Sequence, residues 1–444
     1  MTSEAVQSSL NSPHTNAVDT AQTLEVTIER FADQGRCIAH VDGRVVFVRF
    51  ALPGERVRIS LDPGAERKDR FWTGEVVEVL EASPYRVSPA WPAAGPVSMG
   101  GGVGGADLVH VNLEGQHLWK KTLIDEQMDR LANVDSDVEL HAVASDEQRG
   151  GLHWRTRIEM VADEAGRPSM HQRGSHERLA IDDMPLATQE LNGIATQEGV
   201  WKGGFEPNAS IRLAVPALHG SDKREDNFAL IVNDKLVAGR STLTETVPEV
   251  QIGSTKRTLS YSVAADGFWQ VHRQAPSTLV NAVLQAAQNE LTSAPHTIWD
   301  LYSGSGLFTV ALGLLAGKGG NGLFSVEGSP VAVRSARKNL RHAGLEAAQA
   351  RQGMVNRALR SIPERFLHPN LVVLDPPRAG AKAQVVHQIT AAHPDVVIYV
   401  ACDPTSLARD MTTFIADGYD PVDLQAYDIY PMTHHVETIA VFRR

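Results

Sequence analysis

The chain is short of cysteine, of aromatics and of long apolar runs. Its two cysteines among 444 residues, Cys37 and Cys402, cannot build a disulfide framework or a four-cysteine metal site, so a reducing cytoplasmic setting is expected. No apolar stretch approaches membrane-spanning length. The opening MTSEAVQSSLNSPHTNAVDT has neither the basic nor the apolar segment of a secretion signal, and residues 1–20 read as a disordered tail. Net positive charge is missing too, since a formal charge of -11 argues against a strongly polyanionic partner. What remains, 42% hydrophobic and 21% charged residues, is an ordinary soluble globular composition. The length suits two or three domains, and a monomer is expected.

The charge is unevenly spread. From Arg30 to Arg70 there are nine basic residues (Arg30, Arg36, Arg44, Arg49, Arg56, Arg58, Arg67, Lys68, Arg70) against six acidic ones, and Arg334, Arg337, Lys338 and Arg341 cluster again. Local basic faces bind phosphates whatever the total charge. The same N-terminal stretch alternates in short strands, LEVTIERFAD, CIAHVDGRVVFVRF, ERVRISLDP and FWTGEVVEVLE, with turn signals at Asp42-Gly43 and Pro53-Gly54. About five short strands in some sixty residues predict a small barrel of oligonucleotide-binding type. The phrase GRCIAHVDGRVVFVRFALPGERVRISL resembles a TRAM domain, a small RNA-binding barrel, over residues 21–82; Cys37 within it reads as structural.

Residues 83–265 read as a Pro/Gly/Ala-rich linker followed by a small α+β middle domain. Within them Leu118 to Leu131 has helical periodicity, and HWRTRIEMVADEAGRPSMHQ alternates across an Ala165-Gly166 turn. From residue 266 to 444 the rhythm changes to strands alternating with helices. The order is helix Ala275–Glu290, strand IWDLY, helix LFTVALGLLA, strand LFSVEG, helix PVAVRSARKNLRHAG, strands LVVLD and VVIYVAC, and terminal strand VETIAVFRR. That alternation predicts a Rossmann-like, doubly wound α/β sheet.

Open α/β sheets carry their chemistry outside the carboxyl ends of strands. Cys402 ends VVIYVAC, where a nucleophile would be placed, although most free cysteines are buried as small hydrophobes. Asp300-Leu-Tyr-Ser-Gly304-Ser-Gly306 is a strand, a glycine turn and a helix start, which lets a nucleoside approach the backbone. Glu327 ends the next strand and can accept both hydroxyls of a ribose; the arrangement suits NAD and S-adenosylmethionine alike. Asp375-Pro-Pro-Arg378 makes a rigid turn at another strand end, with Arg378 where exocyclic-amine methyltransferases carry an aromatic.

A TRAM-like barrel, DLYSGSG, VEG, LDPPRAG, ACDP and a terminal HHVET, in that order, resemble the RNA (uracil-5-)methyltransferase family over nearly the whole chain. The resemblance implies S-adenosyl-L-methionine-dependent methylation of uridine C5 in ribosomal or transfer RNA through a covalent cysteine–C6 adduct. It implies that Cys402 is the nucleophile and Glu437 the general base. It assigns Gln270, Tyr302, Glu327 and Asp375 to the cofactor, and Phe268 to the target base. Where the family has Ser-Cys-Asn-Pro, this chain has Ala401-Cys402-Asp403-Pro404, and a negative Asp403 would raise the thiol pKa. Leu307 stands where some members have Asn. Many relatives hold an iron–sulfur cluster; here Val103, Ala106 and Met184 occupy the expected cysteine positions, so no metal or cluster is expected. His434 and His435 read as surface histidines. The alternatives are an NAD-dependent oxidoreductase, which leaves ACDP and the barrel unexplained, and an RNA-binding protein with altered catalysis.

Overall fold

The computed structural model describes residues 23–63, 70–218 and 226–444. The expected N-terminal tail lies outside the described residues. Among the described residues no helix is long and apolar enough to cross a membrane.

The N-terminal unit is a curled sheet of six strands, one more than the sequence marks: Thr23–Thr27, Arg30–Ala32, Arg36–Val41, Arg44–Arg49, Arg56–Leu61 and Phe71–Glu81. The last strand pairs parallel with Arg44–Arg49 and antiparallel with Arg56–Leu61, which closes the curl. Asp42 and Gly43 take φ of 50° and 74°, the positive angles that a two-residue type I′ turn demands. Inward positions Val46, Val48, Val57 and Ile59 are fully buried. Cys37 is buried among them with its thiol on the Ala51 carbonyl at 3.2 Å. Burial pushes that thiol well up, as a structural cysteine requires.

A second six-stranded antiparallel sheet spans residues 157 to 239. Its hairpin Ala229–Val232 to Lys235–Gly239 turns on Asn233 and Asp234, again at positive φ. Val103, Ala106 and Met184 are at most 4% exposed in one apolar core shared with the barrel. Apolar packing thus fills the region where thiolate ligands would stand.

The third sheet has eight strands. Five are parallel in the order Gln349–Gln352, Leu323–Glu327, Ile298–Leu301, Leu371–Leu374, Val396–Ala401. Glu437–Arg443 and Asp420–Asp428 follow antiparallel, and Glu139–Ala142 closes the edge. The central strands Ile298–Leu301, Leu371–Leu374 and Val396–Ala401 are buried at every position, because helices cover both faces. The long hairpin Thr242–Ala264 packs against these helices: Tyr261 donates to the Leu307 carbonyl at 3.0 Å, and Asn339 bonds Ser262 from both sides of its amide. The helix expected near Leu118–Leu131 runs Leu113–Gln127 and continues as a π turn to Ala132; its start is fixed by the Asn112 cap rather than by periodicity.

Candidate active site at the carboxyl edge of the third sheet

Cys402 stands one residue past the strand Val396–Ala401 and is partly exposed. Asp403 next to it is the N-cap of helix Pro404–Ala416 and accepts from the Ser406 amide at 2.7 Å. The antiparallel pairing sets Ala401 opposite Thr438, with Thr438 donating to the Ala401 carbonyl at 3.0 Å. One step further along both strands, Cys402 meets Glu437. Of the charges acting on the Cys402 thiol, that of Glu437 is the largest, so sulfur and carboxyl lie together at the sheet edge.

The charges there act on one another. Burial, Glu437 and Asp375 push the Cys402 thiol up to about 12; Arg378 pulls the other way, and Asp403 adds the smallest push. Asp403 therefore raises the thiol in the expected direction but is a minor cause. Glu437 is 2% exposed, and burial with Asp375 holds it well above the usual carboxylate range, against a hydrogen bond from Tyr430. Asp375 rises to about 7 through burial and Glu327. Asp300 also rises to about 7 through burial, opposed by its bond from Thr309 and reinforced by Asp375 and Glu327.

The glycine turn is open. Gly304 has φ 53°, and a Cβ there would meet nothing within 4 Å. Glu327 accepts from the amides of Gly304 at 3.0 Å and Ser329 at 2.6 Å. Two of about four lone-pair sites are used, leaving two for a diol. Asp300 Oδ1 and Gln270 Oε1 are buried without partners. Tyr302 sits at φ 61° beside the turn, half-buried. An edge of crowded carboxyls, three with elevated pKa, plus orphaned acceptors fits a molecule that brings ribose hydroxyls and positive charge. S-adenosylmethionine, with its ribose, ammonium and sulfonium, has that chemistry. Leu307 heads the following helix, almost fully buried, and Phe268 is 68% exposed.

The sequence gives no role to Tyr430, treats Asp300 only as the start of the glycine turn, and reads His435 as a surface residue. A cavity of about 350 Å³ beside Cys402 is lined by Arg378, Lys120, Gln34, His434 and His435. The two histidines are half-buried rather than on the open surface, because loop 107 covers them. His434 Nδ1 contacts Asp107 at 2.5 Å, and Asp107 also accepts the His434 amide at 2.9 Å. Arg378 donates to His435 Nε2 at 3.0 Å. A guanidinium only donates, so that nitrogen accepts, and burial with His434 and Arg378 lowers His435 to about 3. The sequence signal was present in HHVET, two residues from the carboxylate, but only folding brings Arg378 to it. Among the described residues no group of three or more His, Cys, Asp or Glu is placed to hold a metal ion.

The TRAM domain family matches residues 18–67, and the tRNA (Uracil-5-)-methyltransferase family matches residues 233–444. A protein named an uncharacterized RNA methyltransferase in Bifidobacterium longum is 55% identical over 440 residues, covering 97% of this chain and 100% of its own. One of the same description in Streptomyces avermitilis is 34% identical over 448 residues, covering 95% and 98%. The fold is that of Pyrococcus abyssi tRNA (uracil-54, C5)-methyltransferase, solved with S-adenosyl-L-homocysteine, at TM-score 0.63 and 19% identity over 94% of this chain and 99% of that one. With barrel, sheet and near full-length identity all pointing one way, the chain belongs to the tRNA (uracil-5-)-methyltransferase family, as a TRAM-bearing, S-adenosylmethionine-dependent RNA methyltransferase.

Proposed function

We propose that the protein converts uridine to 5-methyluridine in ribosomal or transfer RNA through a transient bond between Cys402 and uracil C6. The observation that carries this reading is the strand register that sets Glu437 beside Cys402, with Asp375 as their shared neighbour. Gln270, Tyr302, Glu327 and Asp375 would hold the cofactor.

Uracil C5 is a poor carbon nucleophile. Addition of Cys402 sulfur to C6, with the thiol proton passing to water in the open cavity, makes an enolate whose charge is delocalised over O4 and C5. S-adenosylmethionine supplies an electrophilic methyl group. Glu437 in its ionised form then takes the C5 proton, and the electron pair left at C5 expels the Cys402 thiolate and restores the C5–C6 double bond. Positive charge beside Asp375 favours that ionised form, since like-charge crowding is part of what raises the Glu437 carboxyl. The recessed position of both groups requires a base that is unpaired or flipped out of a helix.

Mapping 5-methyluridine in cellular RNA with and without the protein tests the product. Cys402→Ala should cut methyl transfer by more than about 10⁴-fold while RNA binding persists. Undiminished turnover removes Cys402 from the mechanism. Glu437→Gln should slow turnover about 10²–10⁴-fold and accumulate a protein–RNA adduct on denaturing gels. If no adduct forms on a bound uridine substrate, the base assignment fails.

The NAD-dependent alternative explained only Gly304, Gly306 and Glu327, and family membership leaves it no role.

A further inference from the structure

Among the described residues, four arginines of the barrel are paired with carboxylates. Arg49 pairs with Asp62, Arg56 with Glu25 and Glu81, Arg58 with Glu25 and Glu78, and Arg30 with Glu126. Arg36 is different. It donates to Gln34 Oε1 at 3.0 Å and lies over the Phe47 ring at 5.0 Å. Phe47 in turn meets Phe71 edge-on at 5.6 Å, and Phe71 is 54% exposed. These side chains share the outer face of the sheet, where Phe47 and Phe71 sit on paired strands.

That face runs into the catalytic cleft. Asp33 and Gln34 line the same cavity as Cys402. Gln34 is held at φ 59°, and at Gly35, φ 66°, a Cβ would fall 2.7 Å from the Asp107 Cβ. The turn is therefore pressed against the aspartate that holds His434. Arg36 cannot accept a hydrogen bond, so it fixes the Gln34 amide with its oxygen toward the guanidinium. The Nε2 donors are left for a partner with acceptor atoms.

We propose that the barrel turn at Gln34 walls the target-base cleft and that Phe47 and Phe71 form a stacking track for the single-stranded RNA beside the target. The proposal rests on the uridine-methylating reading above and names where the same RNA runs. Exposed aromatics next to a guanidinium stack bases of any sequence. Gln34 Nε2 adds a preference for a flanking base that presents a carbonyl or ring nitrogen. An RNA strand is the occupant because the face is continuous with a cleft that must admit a nucleotide.

The test uses the full-length protein, a fluorescent single strand of about 12 nucleotides with one uridine, within the usual site size for such barrels, and tritiated S-adenosylmethionine. Phe71→Ala should weaken RNA binding about tenfold, the loss of one stacked base. Gln34→Ala should raise KM several-fold with kcat little changed. Val237→Ala, 61% exposed on the edge of the second sheet, should change neither. Wild-type behaviour of both Phe71→Ala and Gln34→Ala, in a protein that methylates the strand, overturns the track alone. An equal loss in Val237→Ala overturns it as well. A wild-type protein that binds the strand but makes no 5-methyluridine overturns the reading beneath it, while the Phe71→Ala affinity still decides the track.

Discussion

Cys402 carries its proton at neutral pH. With a pKa near 12, roughly one thiol in 10⁵ is ionised at pH 7. The sign is that of a raised acid: the thiol form holds at every pH below the folded value, and thiolate grows tenfold per pH unit toward it. Iodoacetamide labelling of Cys402 in the free protein, followed by peptide mass, should therefore rise about tenfold per unit between pH 7 and pH 10. A plateau near pH 8.5, the behaviour of an unperturbed thiol, would contradict the charge crowding. The nucleophile is thus made at the moment of attack and is not stored. Cys402 and Glu327 could be picked out as candidates because each closes a strand that hydrophobic pattern delimits, whereas Glu437 and Asp375 received their roles from the family resemblance. Tyr430 and His435 were legible in neither way, because their meaning lies in contacts with Glu437 and Arg378 that no spacing encodes.

The helix Pro404–Ala416 shows how one substituted side chain serves an element. Asp403 caps it through the Ser406 amide, and its charge complements the positive helix end. Asn caps about as well as Asp. Asp403→Asn, which restores the residue usual in the family, should change stability by less than about 0.5 kcal/mol, while Asp403→Ala should cost about 1 kcal/mol in urea unfolding. Equal losses in both would show that charge, not cap geometry, holds the helix start. Helices Ala275–Glu290 and Leu307–Ala316 were readable residue for residue, since apolar periodicity and glycine or proline punctuation coincide. The strand Glu139–Ala142 was not: it is short, polar and exposed, and only its parallel pairing with Asp420–Asp428 makes it a strand.

Across the whole molecule, helix Leu113–Gln127 ties the barrel to the third sheet. Trp119 packs on Phe31 at 4.7 Å and donates to the Ala32 carbonyl. Lys120, with no exposed side-chain surface, meets Asp428 at 2.6 Å across 308 residues of sequence. Burial alone would raise Asp428, but Lys120 and His117 overcome it and hold it at about 2. Its stabilising contribution is present above about pH 4 and fades as pH falls through about 2. Asp428→Ala strands a buried ammonium and should cost about 3–5 kcal/mol in denaturant unfolding, whereas the Lys120→Met, Asp428→Leu pair should recover most of it. A single variant that loses less than about 1 kcal/mol would mean that water reaches the lysine.

The sequence by itself determined the class of each unit, the strand ends and the ordered motifs that mark the family, because alternation and helical periodicity are local properties of the chain. Tertiary structure decided the rest. Which carboxylate faces the thiol depends on an antiparallel register between strands 36 residues apart in sequence. That a turn of the barrel enters the catalytic cleft depends on packing between residues 35 and 107. Both are contacts at long sequence separation, set by how whole sheets bury their faces, and no local pattern specifies them.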